Sequence, residues 1–473
     1  MTRHLMTYGK TLAGGSIAFV LGAACFTTDY NINPERFCQK RPNDVNCVRS
    51  APVLAPCDPS TAPDAATGVF VSLKGDDAND GSRERPYATI EKAAAAGKPN
   101  VYVMQGIYAV EKTIELAAAV VIDGGWTTEW KRRCEAPQDT TLQGKTAAVS
   151  PVIRFARGGA LTYLAVKTVD QAPGSLNDQP ATSLVALHVV SADPINASNV
   201  LIEAGKASDA ATAAAPGAVS GTIACNSLTD CLPQSRQAGT KGEAGMPGNT
   251  STGVITLQGY VPSTGQDGTS GQPGSNGGTG LSGTIDPNCV KCPGTTQDTC
   301  SGTVTITDTM SANGKCGCGG KGGTGGRGGR GGGASIALLI TDPGAVIYLS
   351  NTQLRTSQGG KGTAGTSGSQ GAEGAPGEPG EAQCSVRQGG QPASCQWSAP
   401  TNKCVLSPSK QLGSESGGPG GPGGPGAGGP SYAIAAVKGA SLQLDPSVTL
   451  TPGQGGLSGD GVTRAESAPQ KSF

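Results

Sequence analysis

The sequence predicts an all-β chain in which stacked strand coils alternate with long glycine-rich segments of threefold, polyproline II-like or polyglycine II-like geometry. Three observations support this. Four stretches share one pattern, namely a small residue, an apolar strand, a kink, a second apolar strand, then a small residue and Gly; they cover 150–174, 183–205, 335–359 and 431–453. Within them apolar side chains alternate, as at Val346/Tyr348 and Leu442/Leu444, so each strand buries one face. Between them Gly recurs at every third place. A flexible linker needs glycine but no phase.

Composition narrows the function classes. The chain has 473 residues, with 75 Gly and 33 Pro, only 4% aromatic and 15% charged residues. Such Gly and Pro content often marks a disordered chain, but high net charge, which would support that reading, is missing: 35 basic residues balance 35 acidic ones. No basic stripe interleaves with aromatic residues, which argues against nucleic-acid binding.

Residues 1–24 read as a signal peptide. Arg3 and Lys10 give the positive start, and the apolar stretch Thr11–Ala24 is too short to span a bilayer comfortably. Cys25 follows Ala24 directly, which resembles the lipobox of bacterial lipoproteins. That resemblance implies an acylated Cys25 and a chain held at the outer membrane or cell surface. The family's Leu three places before the cysteine is here Gly22, with Leu21 one further back, so cleavage after Ala24 without lipid is the competing reading. Residues 25–66, rich in Pro and Cys, read as a tether. With Cys25 set aside, fourteen cysteines remain as disulfide candidates in an exported chain: Cys38, Cys47, Cys57, Cys134, Cys225, Cys231, Cys289, Cys292, Cys300, Cys316, Cys318, Cys384, Cys395 and Cys404. Zinc is the alternative for the Cys289/Cys292 and Cys316/Cys318 pairs.

Residues 67–135 hold a strand (GVFVSL), a polar turn, a helical pattern with Ile90, Ala93 and Ala94 on one face, and further strands at NVYVMQGIY and ELAAAVVIDGGW. Gly75, Asp76, Asn79, Gly81, Ser82, Pro86, Tyr87, Thr89 and Ile90, then Val101–Val103 and Gly106–Tyr108, resemble the N-terminal cap of pectate-lyase-like right-handed parallel β-helix proteins. The resemblance implies a right-handed parallel β-helix whose rungs, interleaved with glycine-rich and cysteine-bearing inserts, occupy 136–473. An antiparallel sandwich with long loops is the competing architecture. Fold alone does not assign activity.

The glycine phase holds over 265–283, 317–332 and 359–380, with shorter runs at 239–248 and 417–429. Threefold phase means a helix with one edge free of side chains. Three structures fit: a bundle of such helices from one chain, disordered loops, and a collagen-like trimer. The runs are short, and some are nearly Pro-free, such as GKGGTGGRGGRGGG, which favours a single-chain bundle and a monomer. In that bundle Gly326 and Gly371 face neighbours, and Thr324 and Gln370 stand free.

Catalytic signals are missing. Polysaccharide-cleaving β-helices need clustered carboxylates, with Arg or Lys, on one outer sheet. The rungs offer scattered charges: Arg154, Lys167, Asp170, Glu203, Lys206, Arg355, Lys438 and Asp445. These read as solvated outer positions. Asp76, Asp77, Asn79 and Asp80 form the one acidic cluster and are weak calcium candidates, with Tyr87 where an EF-hand needs its twelfth-position ligand. His188 lies among apolar neighbours and reads as a core or edge residue. No catalytic, metal or cofactor motif is found. The expectation is a non-enzymatic, lipid-anchored surface protein with a structural or adhesive role, whose partner is a cell-surface polysaccharide or protein. The alternative is a carbohydrate-binding or polysaccharide-degrading β-helix enzyme.

Overall fold

The computed structural model describes residues 58–134, 139–171, 181–223, 253–274, 305–311, 318–375, 382–388, 391–393 and 418–473. The signal peptide, Cys25 and the tether as far as residue 57 lie outside them.

The chain opens with β1 (Gly68–Val71), buried throughout. A turn leads to α1 (Ile90–Ala94), capped by Thr89, whose hydroxyl accepts the Lys92 N–H. Ile90 and Ala93 of α1 are buried and close one end of the core. The strands β2 (Asn100–Met104), β3 (Gly106–Val110), β4 (Ile114–Leu116), β5 (Val120–Trp126), β6 (Thr140–Gly144), β7 (Ile153–Phe155), β8 (Gly159–Lys167), β9 (Leu184–Val189) and β10 (Ile195–Ala204) follow. After a hairpin, β11 (Val254–Thr256) and β12 (Gly259–Val261), and a strand β13 (Thr305–Ser311), the pattern resumes with β14 (Ser335–Ile340), β15 (Val346–Ser350) and β16 (Gln353–Thr356). Then come β17 (Ala382–Gln388), β18 (Gln391–Ala393), β19 (Ser431–Ala436), β20 (Ser441–Leu444), β21 (Thr449–Thr451) and β22 (Ser467–Ser472).

Two large sheets result, and every strand pair in them is parallel. One runs β1-β2-β5-β8-β10-β15-β20, with β3, β6, β16 and β21 attached beside this path; the other runs β22-β19-β14-β9-β7-β4. The chain alternates between them, β7 to β8, β9 to β10, β14 to β15, β19 to β20, and each passage adds one parallel strand to both. Inward residues of both sheets, such as Leu161, Ile202 and Leu354 from the first and Leu187, Leu338 and Ile434 from the second, share one core. A second apolar cluster lies on another face of the second sheet, where Ile336, Leu339 and Tyr432 are covered by Ile255 and Tyr260 of the β11–β12 hairpin. The antiparallel exceptions are that hairpin and the small β13-β17-β18 sheet. The protein is all-β, with mostly parallel sheets.

A bend divides the first sheet. Tyr163, Asn199 and Asn351 have φ of 52°, 55° and 44°, in the left-handed region. They sit at one level in successive layers, since Thr162, Ser198 and Ser350 are register partners. One residue in this conformation flips the alternation. In β10 the inward residues are Ile195 and Ala197 before the bend and Val200, Ile202 and Ala204 after it. Asn tolerates such a φ, but Tyr does so rarely.

The described parts of the glycine runs, 265–274, 318–332, 359–375 and 418–429, are joined by backbone hydrogen bonds, while the run 239–248 lies outside the described residues. Gly265, Gly268, Gly271 and Gly274 donate backbone bonds to Gly329, Gly326, Gly323 and Gly320. Gly323, Gly326, Gly329 and Gly332 donate to Gly418, Gly421, Gly424 and Ala427. Thr363, Thr366, Ser369 and Ala372 donate to Arg330, Arg327, Thr324 and Lys321. Segment 320–333 therefore has three neighbouring segments, one on each of its three edges. Its repeat is Gly-Gly-X; Gly323, Gly326 and Gly329 are buried, and the X residues Lys321, Thr324 and Arg327 are exposed. Packing is close: a Cβ on Gly326 would overlap the Thr366 carbonyl oxygen and stand 2.8 Å from the Gly423 nitrogen.

Segment 418–429 explains its own Gly-Gly-Pro repeat. Gly418, Gly421 and Gly424 donate to Gln272, Thr269 and Gln266, and Gly420, Gly423 and Gly426 donate to Ser369, Thr366 and Thr363. Pro419, Pro422 and Pro425 take the third phase, and proline is the residue with no N–H to satisfy. Thr324, expected to stand free, is exposed but meets Ser369, oxygen to oxygen, at 3.0 Å. The Thr363, Thr366 and Ser369 hydroxyls accept the N–H groups of Arg330, Arg327 and Thr324. Those N–H groups occupy the phase that the neighbouring carbonyls do not reach.

Candidate functional site

The acidic turn is closed by the protein's own donors. Asp77 accepts the Ala88 and Thr89 N–H groups, each at 2.9 Å, and the Thr89 hydroxyl at 2.7 Å. Asp76 accepts the Ala78 N–H, Asn79 donates to the Pro86 carbonyl, and Asp80 accepts the Ser82 N–H. Hydrogen bonds from Ser82 hold the Asp80 carboxyl below its ordinary value. The cluster thus fastens the turn onto α1. Among the described residues no group of three or more His, Cys, Asp or Glu is placed to hold a metal.

Several charges of the four repeats have close partners. Arg154 meets Glu115 at 3.1 Å and Lys167 meets Glu203 at 3.3 Å. Asp170 accepts the Lys206 N–H, Asp445 the Ser447 N–H, and Arg355 donates to Gln353. His188 is buried, with Nε2 3.0 Å from the Thr341 hydroxyl. Burial, with a smaller push from Arg154, lowers its pKa to about 4, so the ring is neutral at pH 7.

Of the disulfide candidates, Cys134 and Cys318 are disulfide-bonded. Cys384 lies in β17, in register with Thr309 of β13. The other eleven lie outside the described residues, as do both pairs weighed for zinc, apart from Cys318 itself.

Two charged arrangements escaped the sequence reading. The first is a buried clip. Arg132 donates to both Asp123 oxygens, and its guanidinium lies 3.9 Å from the Trp126 ring centroid and 4.8 Å from that of Tyr163. Thr162 adds a hydroxyl bond to Asp123 at 2.5 Å. A carboxylate in the apolar strand VVIDGGW needs a partner, and that requirement was the available signal.

The second is a cleft of 410 Å³ between two glycine segments, lined by Thr264, Gly265, Asp267, Arg327, Gly328 and Arg330. Its floor is glycine because the segments touch there: a Cβ on Gly328 would overlap the Gly265 carbonyl oxygen. Asp267 is fixed by the Gly328 N–H at 2.7 Å. The arginines are X residues of the Gly-Gly-X repeat, so their spacing was visible in the sequence, but the neighbour that completes the cleft was not. The comparisons with known proteins find no matching family model, no matching curated protein and no matching solved structure.

Proposed function

We propose that this chain is a non-enzymatic, surface-displayed structural or adhesive protein: a right-handed parallel β-helix whose rungs are extended sideways by a bundle of polyglycine II helices, anchored through a lipid on Cys25. The observation that carries the reading is the common register of the two parts. Ser335 pairs in parallel with Ser431, and three residues earlier Gly332 donates to Ala427, so a sheet layer continues into a glycine layer. Such a body is stiff and presents side chains at every third residue, which suits display better than turnover. The rival, a polysaccharide lyase or hydrolase, draws on the cap resemblance alone.

The test has two measurements. Cells producing the full chain are treated with a membrane-impermeant amine label, and purified protein is incubated with polyuronides while new reducing ends and unsaturated products are followed. Labelling on intact cells with no product is expected. Turnover lost on substituting Arg154 or Asp170 would establish the enzyme instead, and a chain labelled only after lysis would remove the surface role.

A further inference from the structure

We infer that Pro419, Pro422 and Pro425 guard an open edge of the packed glycine segments and bar a further glycine helix there, above all one from a second copy of this chain. The edge belongs to a lane that is filled at one end only. Segment 453–459 lies in it: Gly359 and Gly362 donate to Gln454 and Leu457, and Gly456 and Gly459 donate to Gly429 and Gly426. The chain then turns back, with Ser458 donating to Thr463 and Gly461 to Ser458. Both walls of the lane run on past that turn. Among the described residues no backbone carbonyl meets the Gly365 and Gly368 N–H groups, next in phase after Gly362. Nor does a backbone N–H among them meet the Gly423 and Gly420 carbonyls, next after Gly426.

Rows of unmet donors and acceptors invite another chain, as the edge strand of a sheet does. An intruder would need glycine at every third place: a Cβ on Gly456 or Gly459 would overlap the carbonyl oxygen of Gly360 or Thr363, and the same wall continues with Thr366 and Ser369. This chain carries several runs of that phase, so a second copy is the intruder nearest at hand.

The prolines stand on the edge of 418–429 that faces this lane. Gly428 shares their phase and shows where that edge points. A Cβ on Gly428 would overlap the Gly456 carbonyl oxygen and lie 2.9 Å from the Leu457 carbonyl carbon, and the Gly428 N–H donates to the Ser458 hydroxyl at 3.2 Å. Where the lane is filled the position is glycine. Where the lane empties the same position is proline three times running, about 9 Å apart in a threefold helix. Proline acts there in two ways. Its ring takes the space that a neighbouring backbone needs, and its missing N–H leaves no bare donor on the edge. Pro422 is exposed, as a residue facing an empty lane must be, and Pro419 and Pro425 are partly so. The guard rests on packing and is independent of the adhesive role.

The experiment follows sedimentation of the purified full chain over a range of concentrations, with and without a labelled peptide of repeated Gly-Ser-Gln. The parent should stay monomeric and leave the peptide free. The triple variant Pro419→Gly/Pro422→Gly/Pro425→Gly should open the lane, so that it self-associates or takes up the peptide roughly tenfold or more tightly than the parent, through new backbone hydrogen bonds. The matching triple change to alanine restores the N–H groups but keeps a Cβ, and should behave as the parent does. A glycine variant that stays monomeric and leaves the peptide free overturns the guard. So does an alanine variant that associates as the glycine one does, or a parent that binds the peptide. Gly428→Ala tests the same edge if the triple variant fails to fold. Its Cβ should push segment 453–459 away and speed amide exchange at Gly456 and Gly459 by roughly tenfold or more, from the loss of their bonds to Gly429 and Gly426. Unchanged exchange at both would overturn the assignment of that edge to the lane.

Discussion

Replacing Gly326 with valine tests the glycine layer most directly. Gly326 has an ordinary backbone conformation, outside the left-handed region, so valine meets no φ penalty there; the obstacle is space. Its new Cβ would overlap the Thr366 carbonyl oxygen and crowd Gly423, so segment 320–333 would have to part from two neighbours. Four backbone bonds are then at risk: Gly326 to Gly421, Gly268 to Gly326, Thr366 to Arg327 and Gly423 to Thr366. At about 0.5–1.5 kcal/mol each, the loss is about 2–6 kcal/mol. The exposed Gln370→Ala is the control and should stay within about 0.5 kcal/mol of the parent. Denaturant unfolding gives the stabilities, and amide exchange over 320–333, 360–375 and 418–429 shows where the change falls. Unchanged stability, with exchange in these segments as fast as in an unfolded peptide, would refute the reasoning.

Moving proline by one phase should also be costly: Gly423→Pro removes the bond to Thr366, whereas Pro422→Ala should change stability by less than about 1 kcal/mol, read by the same unfolding curves. Arg132→Ala strands the Asp123 carboxylate and uncovers Trp126, with an expected loss of about 3–5 kcal/mol and a shift in tryptophan fluorescence. The folded pKa of His188, about 4, lies below its unfolded value of 6.5, so its contribution is full above 6.5 and is lost as pH falls from there towards 4. That amounts to about 3 kcal/mol, and His188→Gln should flatten stability across the upper part of this window, where few carboxylates titrate. Mass spectrometry of the mature chain should find a lipid-modified Cys25 at its N-terminus; a free thiol or another terminus would reject the anchor.

What could be read from the sequence follows from physical distance. Glycine phase was legible because backbone bonds at every third residue forbid a Cβ there, and selection for closeness is written in the residue type itself. Phase says that an edge is bare but not what lies against it, so the pairing of 320–333 with 265–274, 360–375 and 418–427 needed the structure. The rung grammar gave both strands and the kink, and Asn199 and Asn351 are residue types at home in a left-handed bend; Tyr163 at the same level is not, and no local rule points to it. The Arg132 clip was hidden because its parts meet only when the chain doubles back after Trp126, where Thr127 pairs with Lys131. The cleft was missed for a similar reason, as Asp267 and Gly328 lie 61 positions apart.

The threefold phase of the glycine segments also constrains how such a chain can change length. Adding or deleting a whole triplet in 320–333 leaves each glycine edge facing its neighbour and only lengthens or shortens the segment, by about 9 Å. Adding one residue there turns everything beyond it by a third of a revolution, which swings Arg327 or Arg330 into a seam sized for hydrogen atoms. Variation in these segments is therefore quantised in threes, a reading frame imposed by backbone geometry and independent of the one in the gene.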